Sequence, residues 1–454
     1  MSVWTYRVVD PTTGLAGATF PTATAGEVDH AVSRAWATFQ HLRALPMAER
    51  AAKVVALAPV LRRRADELAA LMAAEMGKPL PDGRAEIEKC AVTCEYVAEH
   101  GPRWLAAEVL PSDASKSWVQ YDPMGVVLAI MPWNFPFWQL IRFAGPAIVA
   151  GNSFLLKHAP NTPGCGEAIA SLFAEIGVDA PNVRLGHDQI ERVIADPRVA
   201  AVTLTGSTAA GRSVATLAAR HLKRSVLELG GSDPFVVLAD ADVAVAAKTA
   251  ARSRLVNGGQ SCISAKRFIV VRAVAEAFVE QFTAALQAYH VGPPTEPGVL
   301  VGPMARADLR EGLHDQVIRS LAGGARLALG GQPMPGPGCF YPVTLLLDVK
   351  PGMPAWDEEL FGPVAVVRVV EDEAEAFVAA SDGPYGLGAS VWTRDPDRVA
   401  AQIARMSAGC VFVNGMVKSD VRLPFGGTGD SGWGKELGPH GIRELTLART
   451  VWVA

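Results

Sequence analysis

The run Val199-Ala200-Ala201-Val202-Thr203-Leu204-Thr205-Gly206-Ser207-Thr208-Ala209-Ala210-Gly211 decides the fold. Its uncharged first half reads as a buried strand. It passes without a spacer into a glycine-bracketed turn and then into helical text. Amides at a helix N-terminus can hold phosphate, and glycine lets the backbone come close. The turn is not GxGxxG and lacks a P-loop lysine. A plain strand-to-helix turn is therefore an equal reading of these residues taken alone.

The same alternation runs outward from this stretch. Upstream lie a buried strand over 125–130, a helix over 137–150 that ends at Gly151-Asn152, and a strand over 153–156 that ends at Lys157. A helix over 164–176 follows. Downstream, 225–229 reads as a short strand ending in the Gly230-Gly231 hinge. Strand and helix in alternation argue a parallel, doubly wound α/β sheet. From 232 to about 413 the pattern repeats, with strands over 235–238, 267–271, 342–347 and 364–370, and a second α/β domain is expected there. Residues 1–20 read as an edge hairpin turning at Pro11-Thr12-Thr13-Gly14. Residues 24–100 read as at least three amphipathic helices, with Val54, Leu57, Leu61, Leu68 and Leu71 at helical spacing. The β-rich tail over 448–453 has no evident sheet to join, which suits pairing with another subunit. The expected division is 1–107 with 124–228 as a dinucleotide-binding domain, 229–414 as a catalytic domain, and 108–123 with 435–454 as an oligomerisation element.

Bulk composition narrows the function classes. The chain has 454 residues, half of them hydrophobic, and a net charge of −4. That is ample for two or three cores, and nothing in it favours nucleic acid or an acidic membrane. No apolar run is long enough and free enough of charge and proline to span a bilayer. Six cysteines in a chain this long are no disulfide framework. Cys90 and Cys94 share a helix face and read as packing residues. No HExxH or Cys/His cluster appears, so no metal is expected. A cytoplasmic enzyme is the expected class.

Four positions carry candidate chemistry. Cys262 lies in Asn257-Gly258-Gly259-Gln260-Ser261-Cys262, a glycine-rich loop between helical and strand text, where a thiol is open to a substrate and to backbone donors. Glu228 interrupts an apolar strand, a costly place for a carboxylate that is neither paired nor used; a raised pKa there makes a general base. Asn134, between Pro132-Trp133 and Phe135-Pro136, has an amide that can donate to an oxyanion. Lys157 ends a strand, where doubly wound sheets bind ligands.

Together, in this order, these pieces resemble the aldehyde dehydrogenase superfamily. The matching segments are PWNFP (132–136), the strand ending at Lys157, TGSTxxG (205–211), LELGG (227–231), GQSC (259–262), EELFGPV (358–364) and PFGGxGxSGxGKELG (424–438). The resemblance covers nearly the whole chain. It implies two Rossmann-like α/β domains with a small β oligomerisation element, in a homodimer or homotetramer. It also implies that Cys262 attacks an aldehyde, that Asn134 and the Cys262 N–H hold the oxyanion, and that Glu228 activates water to release the acid. The implied cofactor contacts are Trp133, Lys157, Pro160, Gly206, Ser207, Gly211, Leu229, Glu359 and Phe361. NAD-preferring relatives often carry a glutamate where Pro160 stands, so NADP is expected to be preferred, with NAD possible and His158 a possible further contact. Succinate-semialdehyde dehydrogenases look similar at Arg142 and Ser419, which implies a clamp for a distal carboxylate. Phe137, Trp138 and Phe425 are expected to wall the tunnel. Ser264 stands where some relatives carry a second cysteine, so a disulfide switch is not expected.

Overall fold

The computed structural model describes residues 5–454. Residues 1–4 of the expected hairpin lie outside these, and the remainder forms it, with Thr5–Val9 antiparallel to Ala16–Pro21. The helical region resolves into four helices, Ala25–Ala44, Met47–Arg63, Ala65–Met76 and Leu80–Trp104. The first starts at a capping box in which Thr24 and Glu27 exchange side-chain and backbone hydrogen bonds. Cys90 and Cys94 are buried in the fourth.

The opening run forms Val199–Thr205 and, after the turn, the helix Thr208–Arg220. The first sheet has the order Gly432–Trp433, Arg224–Glu228, Val199–Thr205, Val126–Ile130, Ser153–Lys157, parallel apart from the short first strand. From Val126–Ile130 the chain crosses to one side through Trp138–Ala150, then returns to the other side to lay down Val199–Thr205. The strand order therefore reverses beside Val126–Ile130. A crevice opens outside the strand carboxyl ends at such a switch point. Those ends deliver Trp133-Asn134, Lys157, Gly206-Ser207 and Glu228. The helix Trp138–Ala150 is buried along its whole length, as its nearly all-apolar text requires, and stops at Gly151 in a left-handed conformation (φ 97°).

The second sheet is built from residues 234–413, in the order Arg326–Leu329, Thr344–Leu347, Val364–Val370, Arg267–Val271, Pro234–Val237, Gly388–Trp392, Cys410–Val413. Only the Arg326–Leu329 edge runs antiparallel.

One expectation needs correction. The tail strand Thr446–Val453 has a sheet of its own: it pairs antiparallel over its full length with Lys116–Pro123, and Glu108–Val109 completes three strands. Its one-residue-opposite-one register with a strand more than three hundred residues away leaves no local trace in the tail's own text. The first sheet also takes in Gly432–Trp433, which returns from the glycine-rich segment to pair with Leu227 and Glu228.

Candidate active site

The Cys262 loop is built by unusual backbone. Asn257, Gly258 and Gly259 lie consecutively at positive φ (53°, 63°, 77°). A Cβ on Gly259 would come within 2.3 Å of the Gly362 carbonyl oxygen, so only glycine fits. Two buried cations fasten the loop. Arg254 donates to the carbonyls of Ala265 (3.1 Å), Gly259 (3.0 Å) and Leu360 (3.0 Å), and also to Gly362. Lys266 Nζ donates to the carbonyls of Ser261 (3.0 Å), Cys262 (2.8 Å) and Ser264 (3.2 Å), and lies 3.5 Å from Glu359. Neither residue stands out in sequence, because an arginine in a helix and a lysine opening a strand are ordinary; only the folded loop collects the carbonyls around them.

Cys262 is half-buried at the wall of a cavity of about 510 Å³. Burial pushes its thiol up to about 12, against which the charges of Lys266 and Arg142 pull it down. Among the described residues its backbone N–H has no protein acceptor. Asn134 Nδ2 donates to the Gln260 carbonyl (3.1 Å), which fixes the amide orientation and leaves its second hydrogen to donate. The Asn134 carbonyl is itself held by Lys78 (2.9 Å) and Asn257 (2.8 Å).

Glu228 ends its strand with both carboxyl oxygens buried and without a hydrogen bond. Burial pushes its pKa up to about 8; the Arg142 charge opposes this and the Glu436 charge adds to it. A Cβ on Gly426 would lie 2.8 Å from Glu228 Oε1, so the glycine-rich segment over 424–438 makes room for the carboxyl. Arg142 forms a buried ion pair with Glu436 and lies 4.0 Å from Glu228. Its guanidinium stacks 4.9 Å above the Phe425 ring. Arg142, Phe425 and Ser419 line the Cys262 cavity together with Trp138 and Phe135. Phe137 is fully buried in the core instead, because the helix that starts beside it turns its ring inward while Trp138 faces the cavity.

The expected cofactor residues gather at the crevice. Ser207 caps Thr208–Arg220 through Ala210 N (3.3 Å), and the first turn of that helix carries no acidic side chain to answer its N-terminal charge. Gly211 packs on Leu229, where an added Cβ would meet side-chain carbons at 2.5 Å. Glu359 accepts from Gly231 N (3.0 Å), and Phe361 meets Trp133 edge to face at 5.7 Å. Burial lowers Lys157 to about 8, a cost that an anionic partner would relieve. Pro160 brings no carboxylate, and its carbonyl accepts from Arg7 N (3.1 Å) of the N-terminal hairpin. These features fit a dinucleotide with a further phosphate. His158 does not contribute: it is buried, with one ring nitrogen 3.1 Å from the Pro136 carbonyl and the other 3.0 Å from Thr162 Oγ1, and burial lowers it to about 4.

A thiol beside three consecutive positive-φ residues, an amide donor and a buried carboxylate are carried on the loops and strand ends of a doubly wound sheet, an arrangement able to support oxidation through a covalent sulfur adduct. The chain belongs to the aldehyde dehydrogenase family, whose model matches residues 2–451. It is 47% identical to a probable succinate-semialdehyde dehydrogenase [NADP(+)] of Synechocystis sp., over 98% of this chain and 99% of that one. It is 44% identical to the succinate semialdehyde dehydrogenase [NAD(P)+] Sad of Escherichia coli, over 98% and 97%. A crystal structure of succinic semialdehyde dehydrogenase from Streptococcus pyogenes in complex with NADP+ superposes with a TM-score of 0.96 at 33% identity, covering 99% of both chains.

Proposed function

We propose that this aldehyde dehydrogenase oxidises succinate semialdehyde to succinate, with NADP preferred and NAD accepted. The observation that carries the substrate class is the charge of the cavity beside Cys262: Lys78, Lys89, Arg142, Arg252 and Lys418 line it against Asp82 and Glu86. A cationic, partly desolvated wall favours an aldehyde that carries a carboxylate. The named activities of the relatives agree. For the cofactor, Lys157 at the end of its strand and the absence of a carboxylate at Pro160 favour a 2′-phosphate.

The residues divide the chemistry. Cys262 Sγ adds to the aldehyde carbon, its proton passing to solvent as the carbon–sulfur bond forms and the carbonyl π bond becomes the oxyanion. The second N–H of the Asn134 amide and the Cys262 backbone N–H stabilise the tetrahedral oxyanion. The nicotinamide cofactor, when bound, supplies the hydride acceptor. Glu228 takes a proton from the water that attacks the resulting thioester, releasing succinate and restoring the thiol. The chain is also proposed to form a homo-oligomer through the exposed edge of its three-stranded sheet.

A kinetic panel of succinate semialdehyde, propanal and butanal, with NADP and NAD in turn, followed at about 340 nm, tests the reading. The expected result is a kcat/KM for succinate semialdehyde at least about tenfold above either neutral aldehyde, and higher with NADP. Equal values for all three aldehydes would remove the substrate assignment. Acyl-CoA in place of free succinate would reassign the reaction.

A further inference from the structure

We infer that the buried ion pair of Lys78 and Glu86 positions the Asn134 amide against the Cys262 loop, and so sets the strength of the oxyanion site. The inference rests on the proposed role of Asn134 as oxyanion donor. It assigns the support of that donor to two residues outside the motifs quoted above.

The pair arises at a tight chain reversal. The helix Ala65–Met76 stops at Gly77 in a left-handed conformation (φ 76°), where an added Cβ would meet Pro303 Cγ at 2.7 Å. The next residue, Lys78, turns inward. Glu86 comes from the second turn of Leu80–Trp104 and forms the ion pair with Lys78, both side chains being buried.

The polar atoms of the pair converge on one turn, residues 134–138. Lys78 Nζ donates to the Asn134 carbonyl (2.9 Å) and lies 4.1 Å from the centre of the Phe135 ring. Glu86 accepts from the amides of Phe137 and Trp138, each at 2.9 Å. These amides open the helix Trp138–Ala150 and have no acceptor within it. Pro136, between the two grips, has a fixed φ and no N–H. A cation thus holds the carbonyl end of the turn and an anion its amide end. A buried ion pair adds little net stability over an apolar pair of equal volume; what it adds is direction.

The same carbonyl ties the turn to the Cys262 loop. Asn257 Nδ2 donates to the Asn134 carbonyl (2.8 Å) and to the Gln260 carbonyl (3.1 Å). The Gln260 carbonyl in turn accepts from Asn134 Nδ2 (3.1 Å). Backbone, donor amide and Cys262 loop therefore close one ring of hydrogen bonds, and Lys78 fixes its Asn134 corner from outside. If that corner drifts by about 1 Å, the donor misses the developing oxyanion, a displacement that costs on the order of a hundredfold in rate.

The test is a double-mutant cycle in the full-length enzyme with NADP. Lys78→Met alone strands a buried carboxylate, so the pair is replaced together, Lys78→Met with Glu86→Gln. The glutamine keeps an acceptor for the Phe137 and Trp138 amides, and no buried charge is left unanswered. This variant is expected to lower kcat/KM about 10- to 100-fold, equally for succinate semialdehyde and for butanal, with the dissociation constant for NADP unchanged. Asn134→Ala should cost about a hundredfold or more. With Asn134→Ala already present, replacing the pair should bring no further loss, because a positioning residue has nothing left to position. A pair that costs as much without Asn134 as with it has an independent structural role, which overturns the inference. A loss confined to succinate semialdehyde makes the pair a substrate contact and overturns it too, as does an unchanged kcat/KM. Undiminished activity in Asn134→Ala itself would remove the proposed donor, and this inference with it, a result distinct from failure of the pair alone.

Discussion

At the scale of single residues, the site is a set of charges held away from their ordinary states by burial. Cys262 is kept protonated and Glu228 is pushed up to about 8. A base acts in its ionised form, so thioester hydrolysis should strengthen as pH rises through about 8 and level off above it. Where that step limits turnover, kcat should follow the same rise. Glu228→Gln should flatten this limb and leave a single burst of NADPH equal to the enzyme, followed by turnover at least about a hundredfold slower. Stopped-flow absorbance across pH 6–10, a range of about four units, checks both outcomes. A parent profile that falls over that interval would contradict Glu228 as the base. Glu228, Cys262 and Asn134 drew attention because their types are out of keeping with their surroundings (a carboxylate in an apolar strand, a thiol among glycines, an amide between prolines), but each was ambiguous singly and only the ordered set of motifs joined them. Lys89 drew none, since a lysine in an amphipathic helix looks solvated until Trp138 and Ser419 are folded against it.

At the scale of elements, the Cys262 loop owes its shape to the two buried cations that flank it in the chain, Arg254 and Lys266. Lys266 fills three carbonyls that would otherwise turn toward apolar surroundings. Lys266→Met should cost about 1–3 kcal/mol for the groups left unpaired, seen as a lower melting temperature. It should also remove the positive charge that opposes the rise in the thiol pKa. Iodoacetamide should therefore label Cys262 more slowly at pH 8 in the variant than in the parent. Faster labelling would show that loosening of the loop outweighs the electrostatic effect and would refute the tuning role. The alternation of strand and helix through 125–231 was readable from hydrophobic runs and glycine stops, and the observed strands fall within a residue or two of that reading. Arg326–Leu329, Gly388–Trp392 and Cys410–Val413 escaped it. Gly388–Trp392 opens on glycine, alanine and serine, and is a strand because Pro234–Val237 and Cys410–Val413 flank it on both sides. The acceptors of Arg254 and Lys266 were equally hidden: Leu360 and Gly362 reach Arg254 from another part of the chain, and the carbonyls of Ser261, Cys262 and Ser264 turn toward Lys266 only in the folded loop.

At the scale of the whole molecule, the three-stranded sheet stands apart from the two large ones. Its outer strand Thr446–Val453 exposes Leu447, Trp452 and Val453, and Val109 and Leu110 are exposed at the other edge. Edge strands with exposed apolar groups are templates for pairing with a second copy. Light scattering after gel filtration should give a mass of at least two chains, and Trp452→Asp should shift it toward one. A monomeric parent would dismiss the assembly. None of the described helices is long and apolar enough to cross a membrane.

The return of the chain's last segment to its first sheet has a consequence for biosynthesis. Gly432–Trp433 closes the edge beside Glu228, Gly426 makes room for that carboxyl, and Glu436 supplies the ion pair to Arg142. All three emerge from the ribosome long after the cysteine loop. A nascent polypeptide stalled near residue 420 would already own the Cys262 sulfur, yet would lack the surroundings that hold the Glu228 carboxyl, so on the proposed mechanism hydrolytic competence comes later in synthesis than the thiol it depends on.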